Sequence, residues 1–202
     1  MAGEVKIREA LEFGWDTLLA RLGPLLRLQA LTVLLGFGPI ALGEIVPGNL
    51  GYLLLVSGSL LQFWMALGWA RVALKLAEGG EVSSGDLFAD WRALPAFFAS
   101  SFIVYLAVLI GLVFLVAPGA FLLSAWCLFP LVLAAEQAGP IAALRRSWRL
   151  SAGSRLPLLG LILLSILLAA AGLLACGFGI FLSAPVVAVA WARVYRDLAS
   201  GA

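Results

Sequence analysis

Apolar residues run through this chain in three long stretches. Leu28 to Ala70 is 43 residues with one charge, Glu44; Ala93 to Ala135 is 43 with none; Leu156 to Ala192 is 37 with none. The runs are continuous and rich in Leu and Ala, whereas membrane barrel strands alternate over about ten residues. A helix rises about 1.5 Å per residue and the hydrocarbon core is about 30 Å thick, so one crossing takes roughly 20 residues. Each run is too long for one crossing and about right for two. Turn residues fall near each middle: Gly43-Glu44-Ile45-Val46-Pro47-Gly48-Asn49, Ala117-Pro118-Gly119 and Gly177-Phe178-Gly179. Glycine and proline there break helices and permit tight turns. The pattern predicts an all-α integral membrane protein with a single membrane domain, residues 1–202. It has three helical hairpins (24–75, 95–137, 156–198) and six spans, at about 24–43, 50–75, 95–116, 119–137, 156–176 and 179–198.

A helical period with a polar side governs the segments before the hairpins. At about 4–22, Ile7, Leu11, Trp15, Leu18 and Leu22 recur every three or four residues, which puts them on one helical face. At about 139–152, Ile141, Leu144 and Trp148 share a face, with Arg145, Arg146 and Arg149 away from it. The segment at about 84–94 is shorter, with Leu87, Phe88, Trp91 and Leu94 against Asp86, Asp90 and Arg92. It follows Ser83-Ser84, where a serine can cap a helix. The first and third units align without a gap at an offset of 133: Ala10-Leu11 with Ala143-Leu144, Trp15 with Trp148, Pro24-Leu25-Leu26 with Pro157-Leu158-Leu159. The middle unit shares the aromatic and the proline, Trp91 and Pro95, at a shorter spacing. The expected plan is an interfacial helix, an outward span and an inward span, repeated in parallel.

Composition agrees: 63% of residues are hydrophobic and 12% are charged, about half the charge of an ordinary soluble domain. All thirteen basic residues fall outside the hairpin tips. The positive-inside rule then makes their side cytoplasmic, with both termini inside. Arg145, Arg146, Arg149 and Arg155 crowd into eleven residues between two spans. They fix topology. A helix of this kind can also lie at the interface, its apolar face with Trp148 in the acyl boundary and its arginines on lipid phosphates. Each basic residue at an anionic leaflet adds about 1 kcal/mol. The expected contact residues are therefore Arg145, Arg146, Trp148, Arg149 and Arg155, and the expected partners are anionic lipids or a larger membrane complex. Nucleic acid is not expected, because no recognisable nucleic-acid fold accompanies the arginines.

Nothing points to a reaction or a cofactor. Histidine is absent, which removes the commonest general base and metal ligand. No carboxylate is expected deep in the bilayer, where one would mark an ion path. Cys127 and Cys176 read as small apolar side chains between helices, and Thr32, Ser100, Ser124 and Ser165 as helix-packing hydroxyls. Pro130 and Pro185 are expected to kink or interrupt the fourth and sixth spans. A cavity between two broken spans is the basis of a second reading, a small transporter or lipid-moving protein.

Several passages resemble one bacterial family: ARVALKLAEGGEVSSGDLFADW (70–91), APGAFLLSAWCLFPLVLA (117–134), GPIAALRRSW (139–148) and GFGIFLSAPVVAVAWARVYRDL (177–198). Their order is similar to that of the six-span group that includes the membrane domain of glycerophosphoryl diester phosphodiesterases and related integral membrane proteins. The resemblance implies fold and location. It does not carry phosphodiesterase activity, which in fused members belongs to a separate soluble domain. Tyr195 matches the group, whereas Val186 stands where relatives often carry tyrosine after the proline. The leading expectation is a non-enzymatic, lipid-contacting scaffold or accessory subunit.

Overall fold

The computed structural model describes residues 6–88, 91–174 and 178–201, without the side chains of Phe178 and Ile180. These residues are helical, with no strand among them. Five stretches are long and apolar enough to cross a membrane: Leu22–Ile45, Asn49–Ala77, one containing Leu94–Phe114, Val116–Glu136 and Arg155–Leu174. The last helix, Phe178–Ser200, is 23 residues long.

The first hairpin is α2 (Leu22–Thr32) and α3 (Gly38–Ile45), joined by a π turn at Val33–Phe37, then α4 (Asn49–Ala77). The span expected at 24–43 is thus not a uniform α-helix. Pro39 has no N–H to donate to the carbonyl four residues back, and the backbone widens just before it. The second hairpin is α5 (Leu94–Phe114), then α6 (Val116–Trp126) and α7 (Phe129–Glu136). Here the expected interruption at Pro130 is present, as the second residue of α7. The third hairpin is α9 (Arg155–Leu174) against α10 (Phe178–Ser200); Cys176 and its turn lie outside the described residues. Each hairpin narrows on a pair of glycines. A Cβ on Gly51 would meet the Gly43 carbonyl at 2.9 Å, one on Gly111 would meet Gly119 Cα at 2.9 Å, and one on Gly179 would meet Gly172 Cα at 2.6 Å. Small residues allow backbones this close, which is how helices associate without a hydrophobic driving force.

The segments between hairpins close the assembly. Helix α1 (Ile7–Ala20) packs on α10, the turn at Ser84–Leu87 packs on α4, and α8 (Pro140–Ser151) packs on α5, α6 and α7. Each segment therefore rests on the hairpin before its own, and the first rests on the third, completing a ring. In every case the joint is a backbone carbonyl against a small residue. A Cβ on Gly14 would meet Val186 O at 2.5 Å, and one on Gly68 would run into Leu87 O. Ser147 donates its hydroxyl to Ala125 O at 3.0 Å.

Two expectations need correction. The middle interfacial helix (84–94) is not an α-helix but two 3-10 turns, Ser84–Leu87 and Trp91–Ala93, with Asp90 outside the described residues. Ser83 and Asp86 close a capping box over one short turn, and Pro95 starts α5 too soon for a longer helix. Pro185 does not interrupt α10, which continues through it; its buried neighbours Val186, Val189 and Ala190 belong to a helix packed on α1, α4 and α9. The buried residues of α1 are Ala10, Gly14 and Leu18, the last of them from the apolar face read in the sequence, whose Trp15 is 49% exposed.

Candidate functional site

Helix α8 starts because Gly139 is extended and Pro140 supplies a helix-ready φ without needing a partner for a missing N–H. It stops at Ala152 and Gly153, the latter at φ +90°, where glycine alone is unstrained. Its buried residues are Ala143, Leu144, Ser147, Leu150 and Ser151. Ser147 and Ser151 both donate to the Ala125 carbonyl, at 3.0 and 3.2 Å. That carbonyl sits at the end of α6, next to the Cys127–Leu128 break before α7, where a helix leaves acceptors unfilled. The small face of α8 is thus spent on protein.

The aromatic and aliphatic face is left outward, and there it forms a groove of about 680 Å³ lined by Ile103, Trp126, Ile141, Leu144, Arg145, Trp148 and Arg149. Arg145 and Arg149 stand one helical turn apart on its edge. Both are exposed, and neither makes a hydrogen bond or ion pair among the described residues.

The other two expected arginines are already occupied. Arg146 turns to the opposite side, where its Nε lies 3.3 Å from a Glu136 oxygen that also accepts from the Tyr195 hydroxyl at 3.4 Å. The Arg155 guanidinium is sandwiched between Phe121 (4.2 Å) and Trp148 (4.5 Å), and its buried Nε has no hydrogen-bond partner. Cation–π contacts of this kind contribute about 1–2 kcal/mol when shielded from water. Trp148 also meets Phe121 and Trp126 at 5.7 and 5.9 Å between centroids. Arg155 therefore packs against the tryptophan that floors the groove.

An equivalent groove exists beside α1, with the opposite charge. It measures about 470 Å³ and is lined by Leu11, Glu12, Trp15, Asp16, Leu168 and Val186. At the offset of 133, Leu11, Glu12, Trp15 and Asp16 fall on Leu144, Arg145, Trp148 and Arg149. The repeat keeps the apolar and aromatic positions and exchanges two carboxylates for two guanidinium groups.

Around the prolines the packing is apolar. Leu128, Val132 and Ala190 are buried in one cluster. Cys127 is half-buried, its Sγ 3.1 Å from Ser124 O. Sequence reasoning missed Ile103, Trp126 and Phe121 because they reach α8 from another hairpin, and no spacing within one helix reveals them. It also missed that Glu136 engages Arg146. The charge exchange was legible, since the offset already aligned Trp15 with Trp148. No protein-family model, curated protein or solved structure matches this chain.

Proposed function

We propose that this chain is a non-enzymatic, six-span protein of the bacterial inner membrane that holds an anionic lipid in the α8 groove, as a lipid-contacting scaffold or accessory subunit of a larger complex. Helix α10 supplies the sixth span: its 23 residues reach about 35 Å. All thirteen basic residues lie away from the hairpin tips, which supports a cytoplasmic side for them and for both termini. The proposed kinship with the six-span group rests on the quoted passages and is consistent with three hairpins in series.

The observation that carries the reading is an aromatic and aliphatic floor edged by two unpaired guanidinium groups. Guanidinium donors suit phosphate in pairs, and the floor suits acyl chain. The α1 groove is a built-in control, with Glu12 and Asp16 in the arginine positions. Native mass spectrometry of protein released from nanodiscs of phosphatidylglycerol and phosphatidylcholine tests it. One retained phosphatidylglycerol is expected, and Arg145→Gln with Arg149→Gln should weaken it ten- to thirtyfold, at about 1 kcal/mol per charge. Glu12→Arg with Asp16→Arg should create a second retained phosphatidylglycerol. Undiminished retention in the arginine double variant overturns the proposal.

A further inference from the structure

A third space opens where the C-terminal parts of α4, α7 and α10 converge. It measures about 460 Å³, its lining mixes polar and apolar groups, and its charged residues are Arg71, Lys75 and Arg196 against Glu78 and Asp86. Asp86 is already taken: it accepts from Lys75 and closes the capping box with Ser83. Arg196 gives one amine to the Ala77 carbonyl. Arg71 is half-buried and makes no hydrogen bond or ion pair among the described residues.

The internal repeat makes Arg71 conspicuous. Trp69-Ala70-Arg71-Val72 recurs as Trp191-Ala192-Arg193-Val194, at an offset of 122. In the second copy the arginine is neutralised by its own helix: Arg193 lies 3.3 Å from Asp197 one turn on, and over the Phe13 ring at 5.2 Å. In the first copy the residue one turn on is Lys75, which pairs with Asp86, so the helix offers Arg71 no carboxylate at that position. Arg71 is thus a half-buried cation without the carboxylate partner that its equivalent has, in a lining whose basic groups outnumber its carboxylates three to two.

We propose that this cavity is an anion site, distinct from the α8 groove, which takes a phosphate monoester group with Arg71 as its main cation and Arg196 beside it. Two guanidinium groups provide the forked donors that a tetrahedral oxyanion accepts. The Tyr195 and Phe88 rings in the lining leave an apolar side for the remainder of the molecule. A soluble phosphate ester and a phosphatidate headgroup share this chemistry.

The test uses the full chain carrying Arg145→Gln and Arg149→Gln, so that lipid in the α8 groove does not contribute. Inorganic phosphate is titrated by calorimetry in a zwitterionic detergent. In parallel, phosphatidate retention from phosphatidylcholine nanodiscs is read by native mass spectrometry. Binding in the first assay identifies a soluble ligand, and retention in the second alone identifies a headgroup. Either must weaken at least tenfold with Arg71→Gln, less with Arg71→Lys, and also with Arg196→Gln, as loss of a charge-assisted bond requires. Binding of neither probe, or binding indifferent to both glutamine variants, overturns the proposal whatever the α8 groove does. Thermal unfolding of each variant separates lost binding from lost folding.

Discussion

What each charged side chain already touches decides what it is free to do. Of the four clustered arginines, Arg146 has a carboxylate and Arg155 has two rings, which leaves Arg145 and Arg149 outward. Sequence showed the cluster but not this division, because Glu136 and Phe121 come from another hairpin. Asp86 shows the same rule on the acidic side. Burial opposes its ionisation, but hydrogen bonds from Lys75 and Ser83 outweigh burial and hold its carboxyl below the ordinary value. A carboxyl with a depressed folded value stabilises the fold at neutral pH and above its unfolded value near 4. That contribution is lost as pH falls through the folded value. The turn at Ser84–Leu87 should therefore loosen on acidification below about pH 4, read as faster amide exchange at Asp86 and Phe88. Asp86→Asn should loosen it at neutral pH by about 1 kcal/mol and remove most of the acid response. Unchanged exchange in the variant would mean that the ion pair is decorative.

Pairs of elements repeat with atomic detail. Thr32 donates to Leu28 O at 2.9 Å and accepts from the Trp69 indole at 2.9 Å. Ser165 donates to Leu161 O at 2.7 Å and accepts from the Trp191 indole at 3.1 Å. Thr32 and Ser165, like Leu28 and Leu161, are 133 residues apart, and both tryptophans open the recurring Trp-Ala-Arg-Val. The first helix of each of two hairpins is thus clasped to the second by the same bond. The hydroxyls were legible as packing groups, and the offset named their equivalence. Their partners were not legible, since the second helices align at a different offset. Among the described residues Ser100 of the middle hairpin donates instead to Ala96 O at 2.8 Å, with a longer contact to Pro140 O. Interhelical bonds of this kind contribute about 0.6 kcal/mol. Double-mutant cycles on Thr32→Val with Trp69→Phe, and on Ser165→Ala with Trp191→Phe, should give coupling energies of that size and similar to each other. Coupling in one clasp and none in the other would show that the likeness is geometric only.

At the scale of the molecule, three hairpins in series acquire a closed order because each preceding segment rests on the hairpin before it, with α1 on α10 joining the ends. The sequence pattern located the hairpins and the segments but did not show which residues of α1 the protein buries. Its period picked out large apolar side chains, of which Leu18 is buried, whereas the rest of the contact surface is the small Ala10 and Gly14. In a soluble protein the large face wins, because water drives it inward. Beside a bilayer that drive is absent between helices, and close backbone approach decides instead. Gly14 against the Val186 carbonyl is therefore the point at which ring closure can be tested. Gly14→Leu should lower stability by about 1–3 kcal/mol in thermal unfolding in detergent, the usual cost of overpacking, and should speed amide exchange along α1. Gly23, with nothing within 4 Å of its Cβ position, is the matched control, and Gly23→Leu should stay within about 0.5 kcal/mol of the parent. If the two variants unfold alike, the ends are not joined through α1, and the hairpins hold together by their spans alone. If only Gly14→Leu fails, the outward face of α1 with Trp15 and the outward face of α8 with Trp148 are both by-products of small-residue packing on the opposite side. The two grooves of opposite charge then follow from one structural rule applied twice.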